Sequence, residues 1–262
     1  MKKFRLMFLA LASLLLVACQ AEKDPATLVP EIEEVGATCL PADIAPIEAP
    51  FAMPQLQAPK FPAREINLKD LKLDASQLVT KQIQQAIDEM SAKGGGKVIV
   101  PQGIWKSGRI HLKSNVNLHL EEGAEIHFSG DIKDYLPAVF TRCEGVEVYS
   151  MGACIYAYQQ ENIALTGKGT IDTQGQKVWW SMCGARHYGW REGKLGQNTG
   201  GRKKLLRSAE DKLPMQNRIM TVTDAMRPQT VHFYNCKTIL IEGVTILNSP
   251  SLILAIAILT AF

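Results

Sequence analysis

The sequence predicts an all-β fold in which short parallel strands wind into a solenoid. Residues 94–128 contain four short segments of alternating apolar residues, bounded by Gly, Pro, Ser and Asn. These segments are 97–100, 109–112, 116–120 and 125–128. None of the gaps between them has the Asn-Gly or Asp-Gly chemistry of a two-residue hairpin. Short strands that recur without hairpin turns are typical of a coil of parallel strands.

The strand pattern continues along the chain and includes a weak internal repeat. Further strands are predicted at 155–158, 163–166, 169–172, 218–222, 231–234, 239–242 and 244–247. Residues 162–172 and 238–248 (NIALTGKGTID and TILIEGVTILN) each contain a strand, a Gly turn and a second strand. A coil architecture requires such a repeat, because each turn of the coil must resemble its neighbours.

One segment has helical rather than strand periodicity. Residues 76–93 place five apolar side chains on one helical face: Val79, Ile83, Ala86, Ile87 and Met90. Asp74 or Ser76 can cap the start, and the three glycines at 94–96 supply a left-handed exit. Because a solenoid needs its open apolar end covered, we expect this helix to cap the first coil.

The N-terminus is a targeting segment rather than part of the fold. Lys2, Lys3 and Arg5 precede an apolar run at 6–17 that is too short to span a bilayer. The run ends in LVAC, which resembles the lipobox of bacterial lipoproteins and implies cleavage after residue 18 and acylation of Cys19. An ordinary signal peptide with an incidental cysteine is the alternative. We expect a lipid-anchored protein of the cell envelope, periplasmic or at the cell surface, on the outer membrane.

Composition divides the remaining chain and limits its partners. Residues 19–61 are rich in Pro, Ala and Glu and predict a tether and lead-in, whereas 62–262 carry the solenoid pattern. The formal net charge of +3 comes from the leader, so the rest of the chain is near neutral and nucleic-acid binding is not expected. No Cys-x-x-Cys pair occurs, so we expect buried thiols with one disulfide at most, and neither a metal site nor a cofactor.

The long segment 173–217 interrupts the strand pattern with aromatic and basic residues. Its basic residues are Arg186, His187, Arg191, Lys194, Arg202, Lys203, Lys204, Arg207 and Lys212. A loop of this length is usually functional or disordered. The basic residues form either a rim that attracts a polyanion or a solvated surface insertion.

Five motifs in order resemble the N-terminal half of glycoside hydrolase family 28, the polygalacturonases and related pectinases. They are GGGKVIVPQGIW, IHLKSNVNLHLEEGAEIHFS, YLPAVFTRCEG, IYAYQQENIALTGKGTIDTQGQKVWW and RPQTVHFYNCKTILIEGVTILNSP. The resemblance implies a right-handed parallel β-helix. It also implies hydrolysis of galacturonan or rhamnogalacturonan bonds in pectin by inversion, with a pectic polysaccharide or oligogalacturonide as partner. We expect the chain to be a monomer.

The family's catalytic motifs are missing from this sequence. The resemblance implies three catalytic Asp residues, in an NTD-like motif and a DD pair, with GHG-type and RIK-type residues assisting them. No Asp-Asp pair and no Gly-His-Gly occur, and Asn198-Thr199-Gly200 lacks the Asp. In the family these motifs follow the segment that matches 239–250. We therefore assign no catalytic residue and expect this polypeptide to be inactive, as the N-terminal portion of a truncated solenoid.

The segment 251–262, SLILAIAILTAF, departs from the family pattern. Three interpretations are open: a shifted reading frame or truncated gene after Pro250, a final strand pair that closes a short solenoid, or a membrane-seeking tail. The first predicts a poorly soluble chain, because terminal coils need a capping element.

Three residues are candidates for substrate binding: Trp179, Trp180 and Arg227. The tryptophans follow a strand directly and either stack on sugar or pack on the coil, and Arg227 either reaches a subsite or orders a turn. His111, His119 and His127 recur every eight residues, but an outward, solvated position is favoured over a metal site. Asp172 ends a strand and is not assigned catalysis.

The resemblance leaves several functions open. The chain belongs to a pectin hydrolase, to a non-catalytic β-helix that binds pectic fragments at the envelope, or to an adhesin or structural solenoid. A pectate lyase is a fourth option, but the clustered acidic calcium ligands that it needs are missing from the sequence.

Overall fold

The structure, a computed structural model, describes residues 48–52, 55–71, 73–74, 76–176 and 178–257. Contacts divide the chain into units 1–49 and 50–262, and all elements below lie in the second unit. Cys19, Cys39 and the leader lie outside the described residues. Among the described residues no helix is long and apolar enough to cross a membrane.

Three parallel sheets form the body of the molecule. Sheet A contains β1 (Glu65–Asn67), β2 (Gly96–Val100), β5 (Val116–Leu120), β10 (Glu161–Gly167) and β13 (Lys237–Glu242). Sheet B contains β3 (Gly103–Ser107), β6 (Ala124–Phe128), β11 (Thr170–Asp172) and β14 (Thr245–Leu247). Sheet C contains β4 (Ile110–His111), β9 (Ala153–Tyr158), β12 (Gln229–Tyr234) and β15 (Leu254–Ala257). The chain visits A, B and C in turn and every pairing within them is parallel, so the predicted β-helix is confirmed.

Columns of stacked apolar side chains form the core. In sheet B the register stacks Ile126, Ile171 and Ile246, and in sheet C it stacks Val231 on Leu254. Ile126 and Ile171 are fully buried because a coil lies on each side of them. The register also aligns Ile163 with Ile239, so the predicted repeat occupies equivalent positions in adjacent coils.

Helix α1 (Thr80–Ala92) covers the first coil, as predicted. Its apolar face is buried against β2 and β4, and Thr80 Oγ1 accepts a hydrogen bond of 2.6 Å from the Gly108 backbone N–H. The predicted start was wrong: the N-cap residue is Val79, which offers no side-chain oxygen, and Asp74 instead accepts from the Ser76 backbone N–H. The predicted exit is confirmed, since Gly94 has φ +86°.

Strands β3, β7 (Val139–Cys143) and β8 (Val146–Ser150) were missed, and one predicted strand was wrong. Strand β3 contains Trp105 and Lys106 but lacks clean alternation, and β7 and β8 form an antiparallel hairpin. Glu144 and Gly145 connect the hairpin with φ +47° and +86°, which is type I′ geometry reached without Asn-Gly or Asp-Gly. Residues 218–222 form no named strand, since only Ile219 makes a bridge, to Tyr149.

Both long insertions leave the coil at the same corner, between sheet B and sheet C. The first is 129–152, which contains the hairpin, and the second is 173–228, which contains α2 (Gly201–Glu210). We call these two insertions together the annex. Helix α2 packs against β8, and Arg202 Nε lies 2.6 Å from Glu144 Oε2, so the two insertions contact each other. The segment predicted as a long loop is therefore partly helical and ordered against the coil.

Candidate functional site: the outer face of sheet C

The outward side chains of sheet C are rings rather than the small polar groups expected of a solvated surface. Because successive residues of a strand point to opposite faces, Ile155 and Val231 point to the core whereas Tyr156 and His232 point outward. The register places His111, Tyr156 and His232 in one outward row. Tyr158 and Tyr234 form a second row with ring centroids 5.7 Å apart.

The β7–β8 hairpin covers most of this face. Thr141 Oγ1 lies 2.9 Å from His232 Nδ1, the Tyr156 hydroxyl donates to the Phe140 carbonyl, and the Tyr234 hydroxyl donates to Glu147. Burial under the hairpin lowers the pKa of His232 to about 4, so the imidazole is neutral at neutral pH. Burial, together with the Glu147 carboxylate, raises the pKa of Tyr234.

A buried arginine fixes the edge of the face. Arg109 Nε donates to His111 Nε2 at 2.7 Å, which places the His111 proton on Nδ1. The remaining Arg109 donors reach the backbone carbonyls of Tyr135, Pro137 and Met151. Burial lowers the pKa of Arg109 to about 10, and burial and the adjacent guanidinium lower the pKa of His111 to about 4. Arg109 therefore holds the insertion to the coil and is not a free substrate ligand.

The uncovered part of the face is a cavity of about 260 Å³. Its side chains are those of His111, Lys113, Val139, Phe140, Tyr156, Tyr158 and Gln160. The rings of Phe140 and Tyr158 meet edge to face with centroids 5.1 Å apart, and both are half-buried. Lys113 forms no ion pair with any described residue. Aromatic faces beside a free cation can hold a sugar ring that carries a carboxylate.

The three predicted substrate-binding residues do not converge on this cavity. Trp179 is fully buried and meets the ring of Tyr135 edge to face, which is the packing alternative predicted for it, and it is a core residue. Trp180 is half-buried and its Nε1 donates to the Ser249 carbonyl at 2.8 Å. Arg227 donates to the Gln197 side chain and to the Pro250 carbonyl at 2.9 Å. The roles of Trp180 and Arg227 in binding stay predictions.

The other singled-out side chains have structural partners. His111, His119 and His127 lie on three different sheets and cannot share one ion, and among the described residues no group of three potential metal ligands occurs. They are half-buried rather than solvated. Asp172 Oδ1 accepts from the Gln174 backbone and from Asn248 Nδ2 at 2.8 and 2.9 Å, so its role is to order the corner.

The described cysteines are thiols. Cys143, Cys154, Cys183 and Cys236 are free. Burial raises the pKa values of Cys143 and Cys154 to about 12, which keeps both thiols protonated and unreactive at neutral pH.

Sequence reasoning missed the aromatic face because its members are far apart in the chain. Phe140 and Tyr149 belong to the unpredicted hairpin, and His111 was considered only with His119 and His127. One signal in the sequence could have revealed this face. Tyr156 and Tyr158 alternate with apolar residues in one strand, and His232 and Tyr234 repeat this spacing 76 residues later in the strand that pairs with it.

Comparison with known proteins agrees with this architecture. An exopolygalacturonase structure from Thermotoga maritima aligns with a TM-score of 0.71 and 39% identity, over 74% of this chain and 44% of that one. A protein from Vitis vinifera named "Probable polygalacturonase" is 31% identical over 66% of this chain and 34% of its own length. An exo-poly-alpha-D-galacturonosidase from Dickeya chrysanthemi is 34% identical over 40% of this chain and 18% of its own. No family model matches the chain.

Fold and relatives together define a right-handed parallel β-helix of the polygalacturonase type. The chain is related to glycoside hydrolase family 28. It spans about a third of the Vitis relative and less than half of the Thermotoga structure.

Proposed function

We propose that this chain forms the N-terminal coils of an enzyme that hydrolyses galacturonan bonds in pectin. The observation that carries the proposal is the alignment of its coils with an exopolygalacturonase at a TM-score of 0.71 and 39% identity. The cavity on sheet C supports the proposal, because Lys113 beside the rings of Phe140 and Tyr158 suits a uronate.

This chain needs further coils for inverting hydrolysis, because the reaction requires carboxyl groups that the chain does not provide. The reaction requires two carboxyl groups about 6.5–9.5 Å apart, one to protonate the leaving oxygen and one to activate water. The sequence lacks the Asp-Asp pair that the family uses, and Asp172 is held by the Asn248 side chain and the backbone of Gln174. We therefore propose that the chemistry lies in coils that stack on β13, β14 and β15, and that the chain alone is inactive.

The exposed last coil supports this proposal. Leu254 and Ile256 occupy core positions of their columns, stacked on Val231 and Phe233, yet each is 46% exposed. Apolar core positions that face solvent at a sheet edge are the normal consequence of a missing neighbour in a solenoid.

The second candidate is a non-catalytic protein that binds pectic fragments. The same cavity favours it, since binding at Lys113, Phe140 and Tyr158 needs no carboxyl pair. The two candidates predict different results for a longer gene product: the enzyme would hydrolyse pectin once the chain is extended, whereas the binding protein would not.

The proposed location is the cell envelope, through a lipid on Cys19. The LVAC sequence that ends at residue 19 supports this, and the Pro-rich segment that follows suits a tether. Metabolic labelling with a fatty acid should mark the chain, and Cys19→Ser should abolish the label. An unlabelled wild-type chain with a cleaved leader would instead support an ordinary signal peptide.

The enzyme proposal is tested by measuring new reducing ends from polygalacturonate. We expect none from this chain and hydrolysis from the product of the same gene extended in every frame past the codon for Pro250. Hydrolysis by the chain itself would contradict the proposal. Binding without hydrolysis by every extended product would select the non-catalytic candidate.

A further inference from the structure

A basic groove lies on the annex, between α2 and the returning segment 213–220. The cavity measures about 340 Å³, at the small end of the range of ligand sites. Its lining includes Lys203, Lys204, Arg207, Asp211, Leu213 and Arg218. Those on the helix recur every three or four residues, so they form one stripe along its length.

Two cations of this helix are neutralised, and two are not. Arg202 pairs with Glu144 at 2.6 Å, and Lys204 pairs with Asp224 at 2.8 Å. Within the part of the chain that the structure describes, Lys203 and Arg207 form no ion pair and no side-chain hydrogen bond. Both of these unpaired cations line the groove.

A third cation faces them from the opposite wall. Arg218 donates through Nε to the Leu213 carbonyl at 2.8 Å, which holds the guanidinium in place but does not neutralise it. Asp211 is the one acidic residue among those that line the groove. The groove therefore has a net positive charge that its own walls do not compensate.

The groove is built on a fixed frame. Lys204 Nζ donates to the Ile219 carbonyl at 2.9 Å near one end, and the Leu213 N–H donates to the Ser208 carbonyl at 3.0 Å near the other. A Cβ on Gly201 would lie 2.0 Å from the Asp224 carbonyl oxygen, so the helix can approach this backbone only through glycine. Because both walls are tied together, little ordering is needed before a ligand binds.

We propose that this groove binds two or more carboxylates of an oligogalacturonate. Lys203 and Arg207 are four residues apart on the helix, which corresponds to about 6 Å along its axis. Their positive charges are therefore spread along the groove and not concentrated at one place. A linear polyuronate carries its charges along a chain in the same way, whereas a phosphate or sulfate concentrates them. Leu213, which is 38% exposed, supplies apolar surface for a sugar ring. The inference rests on the proposed function for its substrate class.

The test is calorimetric titration of the full chain with a galacturonate oligosaccharide, with inorganic sulfate and with a short single-stranded oligonucleotide. The groove variant is Lys203→Gln/Arg207→Gln. The matched control, Lys168→Gln/Lys237→Gln, removes the same charge from two exposed lysines outside the annex. A third variant, Lys113→Gln, alters the cavity on sheet C.

We expect the oligosaccharide to bind more tightly than sulfate, and the groove variant to weaken it by about tenfold or more, as for the loss of charge-assisted hydrogen bonds. The control should change the dissociation constant by less than about twofold. Circular dichroism should be the same for all variants, because both groove side chains are exposed.

Three results would overturn the inference. If the wild type and the groove variant bind the oligosaccharide equally and Lys113→Gln loses binding, the uronate site is the cavity on sheet C. The proposed function would then be unaffected. Sulfate or oligonucleotide bound as tightly as the oligosaccharide would define a general anion site. No uronate binding by the wild type would remove the uronate site, and hydrolysis by the extended gene product would still decide the proposed function separately.

Discussion

The two ends of the solenoid differ in how their apolar interiors are covered. At the first coil, α1 buries Ile83, Ile87 and Met90 against the strands, and these side chains are at most 2% exposed. At the last coil, Leu254 and Ile256 align with the buried Val231 and Phe233 of sheet C and are 46% exposed. All of these side chains are apolar. Their exposure differs because those of α1 pack against the first coil, whereas nothing described covers those of the last coil.

This difference shows where stability resides in a stacked coil. Each coil contributes only when a coil or a cap lies on both sides, since the interface between neighbours supplies most of the buried area. Ile171 has that support and is fully buried, whereas Ile246, one position further along the same column, is half-buried. The same substitution should therefore have different costs along one column.

The largest effect should follow truncation of a supported isoleucine. Ile83→Ala in the cap helix and Ile171→Ala in the middle coil should each lower the free energy of unfolding by about 3–4 kcal/mol, because each leaves a cavity in a covered core. Ile246→Ala should cost about 1 kcal/mol, because solvent already reaches that site. Urea unfolding followed by circular dichroism measures all three, and equal costs at 171 and 246 would show that the last coil is covered in solution.

Acid should destabilise the covered face of sheet C in the middle coils. Burial lowers the pKa of His232 from its ordinary value to about 4, so below about pH 6.5 the unfolded chain binds this proton before the folded chain does. The free energy of unfolding should therefore fall as the pH drops from 6.5 to 4, by up to roughly 3 kcal/mol from this group.

The matched measurement uses His232→Gln, which keeps a polar group beside Thr141 but cannot titrate. We expect a smaller loss of stability than in the wild type between pH 6.5 and 4. An identical pH dependence of the two proteins would mean that His232 is not buried as a neutral imidazole.

The open end should promote self-association. Leu254→Lys/Ile256→Lys should reduce the sedimentation-detected oligomer fraction and cost about 1 kcal/mol or less, because both side chains are already half exposed. Leu195→Lys is the control, since Leu195 is 53% exposed but lies in the annex. If the control reduces association equally, the open coil is not the contact surface.

The smallest change in stability should come from substitutions at a backbone position that recurs, with positive φ, in successive coils. Asn115, Asn162 and Thr238 begin equivalent strands with φ of +66°, +55° and +51°, a region that Asn tolerates better than a β-branched residue. Thr238→Asn should stabilise the last coil by about 0.5 kcal/mol. Asn162→Thr should destabilise by more, because Asn162 also contacts Lys60 and Asn115. Thermal unfolding of the pair measures both, and a destabilised Thr238→Asn would contradict this account.

The parallel coil, the cap and the relationship to polygalacturonases could be predicted from the sequence alone. These features depend on local patterns, which can be recognised from neighbouring residues without knowledge of the whole fold. The patterns are the alternation within short strands, the five apolar residues on one face of 76–93, and the internal repeat of 162–172 in 238–248. Boundaries and corners were less predictable, since β3 lacks alternation and the Glu144-Gly145 turn lacks the usual residues.

Which side chains meet became clear only from the folded chain. Trp179 is a core residue because Tyr135 of the other insertion packs against it. His232 is neutral because a hairpin from 91 residues earlier in the chain covers it and places Thr141 against it. The groove on α2 has free charge because Glu144 and Asp224 neutralise only two of the neighbouring cations. Burial and ion pairing depend on partners distant in sequence, so composition and spacing could not specify them.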